Sequence, residues 1–236
     1  MSKKLAILLL VGIFCFSVNT FADTISESTA LGATSSSGDA VAASATITTG
    51  AGTVTIDLTN LLTAAQVKSV GQNISDLFFT LDTTTSPGSV SSSSASFVDV
   101  DGSGNATAAT VPGPDQIGWD LANSGGTYHL NGLGGSFTPE HTIIGGSVGD
   151  TSYPIANSSI AGNSPHNPFV QSTGHFVLSI AGVTDATDIS GVEFSFGTTA
   201  GDNVPGVPPV AAPEPSSLML LGSGLIGFAL RRKPVR

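Results

Sequence analysis

The sequence predicts an all-β body, an antiparallel β-sandwich of jelly-roll-like type, carried between two apolar ends. Three observations predict it. Apolar residues recur at every second position in several short stretches, as in half-buried strands. Glycine and proline, 29 and 13 of 236 residues, punctuate the chain between those stretches. Helical spacing is confined to one short segment of the body, and no fixed-period repeat indicates a solenoid or propeller.

In chain order, Lys3 and Lys4 precede an apolar run from Leu5 to Phe16, which is followed by a small-x-small ending at Thr20-Phe21-Ala22. This is the layout of a secretory signal peptide over residues 1–22, whose removal leaves Asp23 as the new N-terminus. The body follows as residues 23–201. Its opening, 23–52, is poor in large apolar side chains and reads as a lead-in or edge strand that begins to pair near Ala45–Thr49. Thr53–Thr59 alternates, with Val54, Ile56 and Leu58 facing one way. Leu61 to Val70 reads as one short helix, and Ile74–Leu81 as a strand with Leu77, Phe79 and Leu81 inward. Between Ser86 and Pro114 only Ser96–Val100 reads as strand, the serine run and the glycines being taken as turns. Trp119–Leu121 and Tyr128–Leu130 flank a turn at Gly125-Gly126. Gly132 to Pro168 is loop-rich, and His175–Ile180 and Val192–Phe196 are the late strands. Residues 202–212, with Pro205, Pro208 and Pro209, read as a stiff extended linker.

The tail, 213–236, has three parts. Pro213-Glu214-Pro215 lacks two amide protons and keeps a following helix from running back into the body. From Pro215 to Leu230 is sixteen residues, about 24 Å as a helix, short for a bilayer core of about 30 Å unless the ends snorkel. Arg231, Arg232 and Lys233 close the run and hold it on the cytoplasmic side, which places the body outside. The chain thus carries a single C-terminal transmembrane helix. The motif, the short glycine-containing apolar run and the arginine cluster, in this order, resemble the PEP-CTERM sorting domain of exported bacterial proteins. That resemblance covers about a tenth of the chain. It implies an exosortase and the secretion machinery as partners, membrane anchoring through the helix, and processing near Pro213–Pro215. It also implies a destination at the cell surface or in the extracellular matrix, in a setting where exopolysaccharide is made.

Charge narrows the function classes. Six of the seven Lys/Arg residues lie in the two end segments, so residues 23–212 hold sixteen Asp/Glu against Lys68 alone, a formal net charge of −15. One cation cannot neutralise a phosphate backbone, which excludes nucleic acid, or attach the body to anionic lipid. The only cysteine, Cys15, falls in the signal peptide, so the body has neither disulfides nor thiolate ligands.

Two groups of body residues are candidate sites. Asp99, Asp101, Ser103 and Asn105 alternate as do the opening ligands of a calcium loop, with Gly104 at the turn. The acidic ligand that should close such a loop is replaced by Thr110, and an Asp/Gly/Asn turn is the competing reading. Trp119, Tyr128 and Tyr153 are the aromatics that could stack on sugar rings, with core anchoring as their alternative role. The histidines, including the Glu140-His141 pair, match no zinc spacing. No Gly-x-Ser-x-Gly elbow or selected carboxylate pair marks a hydrolase, so no catalytic residue is nominated. The expectation is a non-enzymatic structural or interaction module. A carbohydrate-binding module that takes exopolysaccharide is the alternative, with a secreted hydrolase behind it.

Overall fold

The computed structural model describes residues 22–82, 86–133, 141–164, 166–198 and 201–209. The signal peptide up to residue 21, Glu140, and the whole tail, including Pro213, Glu214, Pro215, Arg231, Arg232 and Lys233, lie outside them. Among the described residues no helix is long and apolar enough to cross a membrane.

The chain is all-β. Its strands are β1 (Thr24–Thr29), β2 (Ala43–Gly50), β3 (Thr53–Asn60), β4 (Ile74–Leu81), β5 (Gly88–Val100) and β6 (Ala106–Ala109). They continue as β7 (Asp120–Ser124), β8 (Thr127–Asn131), β9 (Ile143–Ile144), β10 (Phe169–Ile180), β11 (Ile189–Phe196) and β12 (Asn203–Val207). The hydrogen-bonded order is β6-β5-β10-β3-β2-β1-β12-β11-β4-β8-β7. Short β9 pairs with β10 through Val170↔Ile143 and with β4 through Ile74↔Ile143. Eight strands therefore close into a ring, from β10 through β3, β2, β1, β12, β11 and β4 to β9. β5–β6 and β8–β7 extend from it as arms.

The expected pair of separate sheets is accordingly one sheet closed on itself. The element that closes it was read as linker: Asn203–Val207 is a stave between β11 and β1. The prolines do not prevent this, because the pairing is staggered. β12 bonds to β11 over 203–205 and to β1 over 206–207, so Pro205 does not have to serve both neighbours.

The period-two reading of the core strands holds. Val54, Ile56 and Leu58 on β3 and Leu77, Phe79 and Leu81 on β4 are buried, and they join Phe176, Leu178, Phe194 and Phe196 in one core shared by both sides of the ring. The Gly125-Gly126 turn joins β7 to β8, with Ser124↔Thr127 the last register pair.

Two other expectations are corrected. The serine run is not a turn: β5 starts at Gly88, and nearly its whole length is in register with β10. Serine suits this position because the ladder supplies the backbone bonds while Ser89, Ser91 and Ser94 lie exposed and buried Ser93 turns its hydroxyl onto Asp115. Ser91 Oγ, for one, donates to Val177 O at 2.8 Å. The helix expected over Leu61–Val70 is replaced by turns and one 3-10 turn, Val70–Gln72. Side chains capture the backbone there before a helical ladder can form. Asn60 Oδ1 accepts from Leu62 N, and Gln72 Oε1 accepts from Lys68 N and Ser69 N. Leu62, Ala64 and Val67 instead pack with Val98, Val100, Tyr153, Ile160 and Phe169 in a second cluster that caps one end of the ring.

Two measurements check this account. Phe176→Ala should lower unfolding stability by about 3–5 kcal/mol in denaturant titration, whereas Thr48→Ala on the outer face should stay within about 0.5 kcal/mol. A body ending at residue 201 should lose its cooperative transition or melt markedly lower than one ending at 209, since only the longer one carries β12. Equal melting of the two would contradict the stave assignment.

Candidate functional site

The stretch weighed as a calcium loop or an Asp/Gly/Asn turn, Asp99 to Asn105, lies at the hairpin between β5 and β6. Asp101 organises it. Its Oδ1 accepts from Ser103 N at 2.8 Å and Asn105 N at 2.9 Å, and its Oδ2 accepts from Asn105 Nδ2 at 2.9 Å. These bonds, that from the Asn105 side chain foremost, hold the Asp101 carboxyl below the usual aspartate range. Gly104 is fixed by geometry as well as by turn chemistry. Its φ is +79°, and a Cβ there would stand 2.7 Å from Tyr153 O, against which the turn is pressed. Asp99 lies on β5 in register with Thr107, outside the turn. A cation at Asp101 would have to displace these N–H donors.

Of the two roles weighed for Trp119, Tyr128 and Tyr153, sugar stacking and core anchoring, the structure has the second. Trp119, Tyr128 and Tyr153 are 1 %, 0 % and 1 % exposed, so none presents a ring face to solvent. Each spends its polar atom inside: Trp119 Nε1 on His141 O, Tyr128 OH on Ser86 O, and Tyr153 OH on Gly145 O. Burial pushes the Tyr153 phenol up to about 12. Trp119 also packs on Phe176, ring centres 5.1 Å apart.

The histidines are dispersed. His129 Nε2 lies 3.2 Å from Asp76 Oδ1 and its ring stacks on Phe78. His141 Nδ1 bonds to Pro168 O, and burial holds its pKa below the ordinary histidine value. His175 Nδ1 meets Asp57 Oδ1 at 2.7 Å across the β3–β10 ladder. Among the described residues no three His, Cys, Asp or Glu side chains are grouped to hold a metal. The His175–Asp57 pair belongs to a polar carpet on the outer face of the sheet, with Thr24–Thr48, Ser26–Thr46 and Thr59–Thr173 as further cross-strand contacts.

The sequence reading missed a groove of about 480 Å³ along β6. β6 is an edge strand. Its first residue is paired on the open side, where Ala106 N donates to Thr151 O at 2.8 Å and Asn105 bridges Ser152 antiparallel. The 148–150 segment then turns away, with Ser147 N bonded to Asp150 Oδ2. This leaves the groove between it and the rest of β6, lined by Ser96, Val98, Ala108, Val148, Asp150 and Gln171 among others. Gln171, 4 % exposed, braces the far wall through Gly149 N at 3.3 Å. No motif announces such a site, because its polar groups belong to the backbone of an Ala/Thr strand.

In the tail, a family model for the PEP-CTERM protein-sorting motif matches residues 211–233. The chain therefore carries that motif, the match agreeing with the resemblance drawn from Pro213-Glu214-Pro215 and the arginine cluster. Comparison with curated proteins and comparison with solved structures each returned no match.

Asp101→Ala should lower the melting temperature, and the wild-type contribution has a defined pH window. The folded pKa is depressed, so the stabilisation is complete above the ordinary aspartate pKa of about 3.9 and fades as pH falls through the lower folded value. The melting difference between wild type and variant should thus be largest near neutrality and shrink towards strong acid. Millimolar calcium should leave the wild-type melting temperature unchanged.

Proposed function

We propose that this chain is an exported, non-enzymatic envelope protein. Its β body is held at the outer membrane face by the C-terminal segment and then passed to the cell surface or matrix when an exosortase processes the tail. The observation that carries this reading is the sorting motif over residues 211–233. Two further observations support it. Six of the seven Lys/Arg residues lie in the two end segments and only Lys68 in the part between, in keeping with orientation by the positive-inside rule. The ring is complete at Val207, with five residues between it and Pro213, so a cut at or beyond the motif leaves the body intact. Those few residues span at most about 20 Å, which keeps the body close to the processing enzyme.

Removal of the tail leaves an acidic, disulfide-free barrel whose Trp119, Tyr128 and Tyr153 are spent on the core. The glycan-binding alternative loses Trp119, Tyr128 and Tyr153 as contact residues on that ground. Nothing in the dispersed histidines or the solvated His175–Asp57 pair favours a hydrolase over an interaction module.

The test is processing in a host that carries an exosortase and in a matched strain that lacks it. In the first, intact-mass analysis should find the body without residues beyond the motif region, outside the cytoplasm. In the second, the full tail should remain and the protein should stay with the membrane. Replacing Pro213, Glu214 and Pro215 together by alanine should reproduce the second result in the first host. Identical products in both strains would refute the sorting assignment.

A further inference from the structure

We infer that the open edge of β6 is a docking site for an extended peptide strand of a partner protein, one that carries Lys or Arg beside the pairing segment. The argument begins with backbone direction. Along a strand, successive N–H and C=O groups point to alternate sides. Ala106 N bonds outward to Thr151 O, so Thr107 and Ala109 face β5 and Ala108 faces outward. Ala108 is exposed, and no group among the described residues takes its outward N–H or C=O. An edge of this kind, without proline or charge along its length, is a template for another strand.

The occupant follows from two further observations. The protein already uses this edge for antiparallel pairing, at Asn105–Ser152 and Ala106–Thr151, and that pairing stops where the groove opens. An incoming strand would continue an interaction begun by the chain itself, in a groove whose far wall is braced by Gln171. The groove is lined by one carboxylate, Asp150, and by no cation, while Lys68 is the only Lys or Arg among the described residues and is paired with Asp39 at 3.1 Å. This charge balance, one carboxylate in the groove on a body of formal charge −15, favours a basic strand. It disfavours a second copy of this body, since each carries a formal charge of −15. The position suits a tethered protein. β12 runs towards the end of the ring where β1 begins, whereas β6 lies beside the end of β5 and the start of β10, at the opposite end.

The experiment uses residues 23–209, within which the ring and both clusters are complete. The probe is an acetylated and amidated octapeptide of alternating Thr and Val with a lysine at each end. Three controls accompany it: the same peptide with glutamates at the ends, the same peptide N-methylated on one edge, and a cello-oligosaccharide. Binding is read from backbone amide shifts at Ala108 and Thr110. Ala108→Pro removes one outward N–H without touching the β5 ladder, so its melting temperature should match wild type while affinity falls about tenfold or more. N-methylation should give a similar loss, and the glutamate peptide should bind weaker than the lysine peptide, with the difference shrinking in salt.

The inference is overturned if the lysine peptide fails to shift these amides at millimolar concentration, or if it binds Ala108→Pro as well as wild type. It is equally overturned if the N-methylated peptide or the oligosaccharide produces the same shifts. Equal affinity for the glutamate peptide would refute the basic partner. Concentration-dependent dimers that vanish in Ala108→Pro would make a second copy the occupant instead. None of these outcomes depends on whether the tail is processed.

Discussion

Closure between β1 and β12 rests on two register pairs, Ser28↔Val207 and Thr29↔Gly206, and the rest of the ring depends on them. Without that seam β1 and β12 would both be edges, and the inner faces of both halves would lose their enclosure. The approach is close. A Cβ on Gly206 would stand 3.0 Å from Val192 O and 3.2 Å from Glu27 Cβ, so this position has room for little more than glycine. The opposite closure is also small, since β9 contributes two residues, Ile143 and Ile144, both buried. The ring is held less by the number of bonds at its seams than by the core that both halves share.

That core has a consequence for what the surface can do. Trp119, Tyr128 and Tyr153 are enclosed, and the outer face of β1, β2, β3 and β10 is mostly hydroxyls in cross-strand contact. The body therefore offers few of the aromatic anchors that dominate many binding surfaces. What it offers is carboxylate charge and, along β6, the backbone itself.

The seam also ties the body to its export. The first stave begins at Thr24, and the last ends at Val207, with three residues between it and the matched sorting motif. The ring cannot close until both ends of the body have crossed the membrane. β12 runs towards the rim of the ring where β1 begins, and the second cluster and the β6 groove lie towards the opposite rim.

Local pattern determined the all-β class, the inward residues of β3 and β4, the Gly125-Gly126 hairpin and the sorting tail. Each is written in neighbouring residues, through period-two alternation, turn chemistry or the order of a linear motif. Long-range pairing decided the rest. The serines of β5 have no apolar alternation to announce a strand and become one because β10 lies alongside. Asn203–Val207 looks like a linker until β1 and β11, distant in sequence, receive it. Leu61–Val70 has helical composition, but Asn60 and Gln72 take its backbone bonds. Whether a tyrosine or tryptophan faces water or core depends on what packs over it, and an open edge exists only where a neighbour fails to arrive. No single stretch of sequence records either, because both are properties of which segments meet.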